Sequence, residues 1–468
     1  MDHKQQIEAY FDARAEELAA AVSRLAAIPS EKGEAAPGAP FGPGPARCLD
    51  EALAMAAEMG MAVRNYDGYV GAADLNDKDT MLHILGHLDV VNAGAGWTVT
   101  EAYEPKVVDG VLYGRGVADD KGPMAAALMA MKAVKDLNVP LRHNVRIIFG
   151  TDEESGMGDL PHYYAVEPYA PYTFSPDADF PLINIEKGFY KPTFTKQWEA
   201  DAALPRLVSF RGGERLNVVP GQAEAVIEGL PMGQLLPRAQ VGTRITGAEY
   251  RVMPQGEDRI RIVALGKSAH AMAPDDGVNA ITALLELLGV LPLAESESKN
   301  AIHALLELLP HKDAKGTGLG IAQSDELSGE LTVAFSLLEF TETGVTGRFD
   351  SRVPLCATEK NCQARAEAAF AKHGFTCTGG MEPPHHTPAD SPFVQTLLKC
   401  YEEYTGQKGE CLAIGGGTYV HEIPGGVAFG AAMPGYQTNL HGADEHIPVR
   451  DLLTAAKIYT QAIIDLCS

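Results

Sequence analysis

Apolar positions along this chain change period repeatedly, and each period predicts its own kind of element. From about residue 5 to 27 they recur at helical spacing (Ile7, Phe11, Leu18, Val22, Leu25), which predicts an amphipathic helix. A Pro/Gly-rich loop follows, EKGEAAPGAPFGPGPA, and then a second helix over about 46–59. Short apolar runs at about 61–66, 81–86 (MLHILG) and 145–149 (VRIIF) read as strands. Between the last two, GPMAAALMAMKAVKDL predicts a helix from near Gly122 to before Asn138. Strand, helix, strand in that order implies a mostly parallel sheet covered by helices on both faces.

From about 188 the pattern shifts to alternation. AEAVIEG, DRIRIVALG, ELTVAFSLLEF and VTGRFDSRV predict antiparallel strands, with helices at about 278–291 and 363–373 among them. After about 381 the order of helix, strand, loop and helix returns, ending in DLLTAAKIYTQAIIDLC. The expected class is therefore α/β. A mostly parallel-sheet domain would be built from 1–187 and 381–468, with an inserted α+β domain over 188–380.

Composition narrows the function. At 468 residues the chain exceeds what one core usually organises, in keeping with two domains. Lys and Arg total 38 against 62 Asp and Glu, a net charge of −24. Such acidity disfavours nucleic acid and anionic membrane surfaces as partners. The opening MDHKQQIEAYFDARAEELAAAV is a charged helix pattern with no secretory apolar core, and no run of about 18 apolar residues suggests a membrane span. Seven cysteines at scattered spacings, with no C-x-x-C, read as reduced thiols of a cytoplasmic protein.

The candidate chemistry falls just past the ends of the predicted strands, where open α/β sheets bind ligands. GHLDVV places His87 and Asp89 two apart, so in extended backbone both side chains point the same way. A metal-bound imidazole needs a partner on its second nitrogen, which Asp89 could supply. GRGVADDKGP sets Asp119 and Asp120 between glycines before a helix. Either is suited to bridging two cations, and Asp120 equally to capping the helix. In GTDEESG, three successive carboxylates end an apolar strand and would repel one another without a cation nearby. That suits Glu154 as a ligand and Glu153 as a general base. Asp177 (SPDADFP) and His441 (HGADEHI) say little alone and could complete the ligand sets.

Taken in order, GHLDVV, GRGVADDKGP, GTDEESG, SPDADFP, SAHAMAPDDGVNA, GGGTY and HGADEHI resemble a dinuclear zinc metallopeptidase family. That family includes aminoacylase, acetylornithine deacetylase, succinyl-diaminopimelate desuccinylase and carboxypeptidases, and the nearest resemblance is to its PepV-type dipeptidase branch. The likeness runs from about 10 to 465. It implies one divalent ion, zinc in the first instance with manganese or cobalt possible, on His87, Asp119 and Asp177. A second would sit on Asp119, Glu154 and His441. Asp119 would bridge, Asp89 would orient His87, Glu153 would be the base, and the Asp119–Asp120 peptide would be cis. The inserted domain would be a lid carrying His270, which polarises the scissile carbonyl, and Asn217, which helps hold the oxyanion. Arg352, with Arg348 as a rival, and the backbone of Gly415 and Gly416 would take a substrate carboxylate. His446 is a rival to His441, although His441 stands before the G-x-D-E element. The implied activity is hydrolysis of dipeptides with a free N-terminus by a metal-activated water. N-acyl amino acid deacylation by the same chemistry is the alternative. A small peptide substrate and a monomer are expected.

Overall fold

A computed structural model describes residues 3–468. The chain divides into two compact units. One comprises Met1–Ile185, His385–Leu412 and Gly417–Ser468, and the other Glu186–Pro384 and Ala413–Gly416.

The first unit is organised by the strand Thr80–His87. Six of its eight residues are buried, as a strand covered on both faces requires. It pairs in parallel with Asn144–Gly150 on one side and Tyr172–Ser175 on the other. Val427–Ala428 extends the parallel region beyond Tyr172–Ser175. Antiparallel strands flank it: Val70–Asp74 and Ala62–Tyr66 at one side, Leu182–Glu186 at the other. Strand alternation sends Ile84 and Ile147 into the core shared with helices Lys121–Asp136 and Val449–Cys467. It sends Leu85 and Ile148 to the opposite face, where Leu160, Tyr163, Tyr419 and Ile423 cover them. The sheet is therefore apolar on both faces, and polar groups collect at the strand ends.

The helix expected over 5–27 is two helices, His3–Asp12 and Ala15–Ala26. The apolar stripe continues from Phe11 to Leu18 at helical spacing, so the break at 13–14 leaves no mark in the pattern. Both segments face one core, because Ile7, Phe11, Leu18 and Val22 are all fully buried.

The second unit is an antiparallel sheet. Its strands run in the order Glu249–Pro254, Arg259–Leu265, Gln222–Glu228, Arg206–Gly212, Thr332–Thr341, Gly344–Val353, Gly188–Tyr190, Met381–Glu382. Helices Ala280–Gly289 and Ala364–Lys372 form where periodicity placed them. Two more, Met232–Thr246 and Glu297–Leu308, were not foreseen. The first contains Pro237, Gly233 and Gly242, all poor helix formers, and tertiary packing of Leu235 and Ala239 overrides them. Among the described residues no helix is long and apolar enough to cross a membrane, and the seven cysteines are free thiols.

Candidate metal centre

Three adjacent parallel strands deliver the chemistry to one edge of the first unit's sheet. His87 is the last residue of Thr80–His87. Glu153 and Glu154 form a short 3-10 turn just past Asn144–Gly150, and Asp177 lies two residues beyond Tyr172–Ser175. Asp119 precedes the helix Lys121–Asp136, and His441 lies in the loop before the strand His446–Pro448. The Asp119–Asp120 peptide is cis.

Two triads result, His87–Asp119–Asp177 and Asp119–Glu154–His441, each with one donor atom per residue within 4.8 Å of the others. His87 Nε2 stands 3.0 Å from Asp119 Oδ1 and 3.6 Å from Asp177 Oδ2. His441 Nε2 stands 2.9 Å from Asp119 Oδ2 and 3.1 Å from Glu154 Oε1. Asp119 thus turns one oxygen to each triad, as a bridging carboxylate does. Donors around a tetrahedral ion with bonds of about 2.0–2.2 Å stand about 3.3–3.6 Å apart, so both triads fit a divalent cation with little adjustment.

The charge distribution fits the same demand. Burial, and then neighbouring carboxylates, raise the carboxyls of Glu153, Asp120 and Asp177, and push Glu154 up to about 7. Burial opposes charge on His87, but Asp177, Asp119 and Asp89 outweigh it and raise its pKa. Hydrogen bonds to Asp119 and Glu154 push His441 up to about 11. Asp119 alone goes the other way: against burial, its hydrogen bonds to His441 and His87 lower it, so the buried carboxylates together favour added positive charge. A pair of divalent cations supplies that charge directly.

Two further carboxylates fix the loops that carry these side chains. Asp89 Oδ1 and Oδ2 accept the Glu153 and Glu154 amides at 3.1 Å each. Its own carbonyl lies 2.9 Å from His87 Nδ1, nearer than its carboxylate at 3.5 Å. Glu445, to which the sequence pattern assigns no role, is buried. It accepts Arg115 Nη1 at 2.7 Å and the amides of Gly116, Ala118 and Asp119 at 3.1, 2.9 and 3.2 Å. It sits inside HGADE, four residues after His441, which was its only trace in the sequence. Asp120 occupies the N-cap position of its helix without capping it. Its Oδ2 instead accepts the His87 amide at 3.2 Å. His446 is not in either triad; it stacks on Tyr113 with ring centroids 5.1 Å apart.

Asn217, His270, Arg352, Gly415 and Gly416 all belong to the second unit. Val218 pairs with His270, and the Asn217 carbonyl accepts the Ala271 amide at 2.9 Å, so Asn217 and His270 lie at one small two-stranded antiparallel ladder. Arg352 is buried. Its Nε and Nη2 bond the two oxygens of Asp350 at 2.6 and 2.9 Å, and its Nη1 bonds the Gly415 carbonyl. Arg352 therefore holds the glycine loop, with three of its five N–H groups engaged. Arg348 Nε is buried without a partner.

Residues 83–465 match the family described as Peptidase family M20/M25/M40. The chain belongs to this family. The family assigns it as a peptide-bond hydrolase, and the two triads are its candidate metal ligands. Among relatives, it is 38% identical to YtjP of Bacillus subtilis (strain 168) over 92% of this chain and 93% of that one. It is 32% identical to the Beta-Ala-Xaa dipeptidase of Lactobacillus delbrueckii subsp. lactis, over 91% and 90% of the respective chains. The fold is that of human carnosine dipeptidase 1, with a TM-score of 0.58 at 17% identity over 100% of this chain and 99% of that structure.

Proposed function

We propose that this peptidase is a metal-dependent dipeptidase acting on short peptides with a free N-terminus. The observation that carries the reading is the shared carboxylate of Asp119 between two triads, with Glu153 next to the ligand Glu154 in one short turn and within electrostatic range of His87, Asp119 and Asp177. His87, Asp119 and Asp177 would hold one ion and Asp119, Glu154 and His441 the other. Two imidazoles and four carboxylate contacts suit zinc, with manganese or cobalt as substitutes. When bound, the ions polarise the scissile carbonyl and make a water acidic near neutral pH.

The chain's own residues do the rest. Glu153 enters no salt bridge or side-chain hydrogen bond with another described residue, and burial with its neighbours keeps its affinity for a proton high. It accepts the proton of the attacking water and passes it to the leaving amine. Asp89 fixes the Glu153 amide and so aims the side chain. From the second unit, His270 and Asn217 are assigned to the oxyanion, and Arg352 with the Gly415–Gly416 backbone to the substrate carboxylate. These assignments rest on the motifs that carry them.

Both dipeptidase and deacylase cleave an amide by this chemistry; they differ in whether the substrate amine is free. The Beta-Ala-Xaa dipeptidase relative favours the free amine, and no observation favours the deacylase. The test is a panel of dipeptides, tripeptides and N-acetyl amino acids. Dipeptides should be turned over fastest, and acetylating their amine should cut kcat/KM by more than tenfold, as for a site built around a polar substrate group. Faster hydrolysis of N-acetyl amino acids would replace this reading with the deacylase.

A further inference from the structure

Asp159 is a further buried carboxylate of the first unit that lies outside both triads. Asp159 is fully buried, and its Oδ2 accepts the Thr151 amide at 2.6 Å, the Asp152 amide at 3.2 Å and the Tyr419 hydroxyl. Its Oδ1 accepts the Leu160 amide at 2.9 Å. With Asp89 on the next two amides, four successive backbone N–H groups, 151 to 154, are anchored by two carboxylates. Asp152 continues the pattern by accepting the Gly158 amide at 3.0 Å and closing the turn on itself.

Tyr419 joins that turn to the metal-binding side. Its ring meets His87 edge-on, at 6.3 Å and 83°. Its hydroxyl and ring fill the space a β-carbon would need at Gly150, the residue before Thr151, so the phenol seats directly over the strand end. Tyr419 is 1% exposed and beyond the reach of substrate. Burial pushes Asp159 up to about 6, and the Tyr419 hydrogen bond is the largest of the influences that hold it down. Removing the phenol hydroxyl would leave a buried carboxylate short of one donor, at the point where it holds the turn.

We infer that Tyr419 and Asp159 act as one positioning unit, holding the Thr151–Glu154 turn so that the Glu153 carboxylate is set for proton transfer. The inference rests on Glu153 being the base. A displacement of about 1 Å at a reacting group costs on the order of a hundredfold in rate. Tyr419→Phe, which keeps the ring packed on His87, should therefore lower kcat about ten- to a hundredfold. KM should stay within twofold and two metal equivalents should remain bound. Asp159→Asn should do the same, and the double variant should be no slower than the slower single, since both changes break one unit.

The decisive measurement is kcat, KM and metal content for the three variants, with rates normalised to metal-loaded protein. Full kcat in Tyr419→Phe, a loss confined to KM, loss of metal, or additive losses in the double variant would each overturn the assignment. If Tyr419→Phe does not fold, Asp159→Asn decides alone; if neither folds, the pair is structural and the inference fails. Glu153→Gln separates the two ideas. Full activity in that variant removes the base assignment itself. An inactive Glu153→Gln beside a fully active Tyr419→Phe removes only the positioning role.

Discussion

At the scale of single residues, the neighbours Glu153 and Glu154 do different work. Glu154 Oε1 faces His441 Nε2 at 3.1 Å and shares a triad with it, while Glu153 is in neither triad. Glu153→Gln should then keep two metal equivalents and lose about 10²–10⁴ in rate, the usual worth of a general base. Glu154→Gln should bind the ion of the Asp119–His441 triad more weakly and leave the His87 triad loaded. Metal titration with activity on the same samples checks this, and equal metal loss in both variants would show the roles divided wrongly. Glu153 and Glu154 were legible because GTDEESG closes an apolar strand, where a run of carboxylates has few structural uses. Asp159, Glu445 and Tyr419 were not legible. Asp159 and Glu445 work on backbone amides, which carry no side-chain spacing, and the Tyr419 hydroxyl donates to Asp159, 260 positions away.

At the scale of elements, the strand Thr80–His87 carries a second histidine of opposite character. His83 is 2% exposed, and its Nδ1 has no partner. Burial, followed by repulsion from Arg146, pushes it down to about 4 from 6.5. A base with a depressed folded pKa is protonated more readily in the unfolded chain. Between about pH 6.5 and 4 the unfolded state therefore takes up the extra proton, and stability falls with pH. The loss by pH 4 should reach about 3 kcal/mol. The stability of His83→Leu relative to the native chain, measured by denaturant unfolding from pH 7 to 4, isolates this term because the metal cluster titrates in both. The variant should gain on the native chain by about that amount across the window, and a flat difference would exclude the effect. Element boundaries show the same limit of legibility as the site. The strands Thr80–His87 and Asn144–Gly150 were found because burial on both faces leaves a plain apolar run, whereas Val70–Asp74, Tyr172–Ser175 and Leu182–Glu186 were not predicted. Helix Met232–Thr246 was hidden by Pro237 and two glycines, and the break at 13–14 by an apolar stripe that runs through it.

At the scale of the molecule, each unit has its own apolar core, one around Ile84, Met124 and Tyr459 and the other around Phe194, Leu284 and Phe349. The two triads draw their ligands only from the first unit, from positions as far apart as His87 and His441. A metal that binds this arrangement and not the unfolded chain stabilises the unit that holds it, by about 4 kcal/mol when free metal is a thousandfold above Kd. The second unit contributes no ligand to either triad and should gain little. Calorimetry of the full chain should accordingly resolve two unfolding steps. Chelation should lower the midpoint of one by several degrees and abolish hydrolysis, and added zinc, manganese or cobalt should restore both. The unmoved step should belong to the second unit, which Leu284→Ala, a change in its core alone, would identify by lowering that step selectively. Equal shifts of both steps on chelation would mean that the metals are held by more of the chain than the five residues of the triads, and full activity without divalent ions would remove the metal centre altogether.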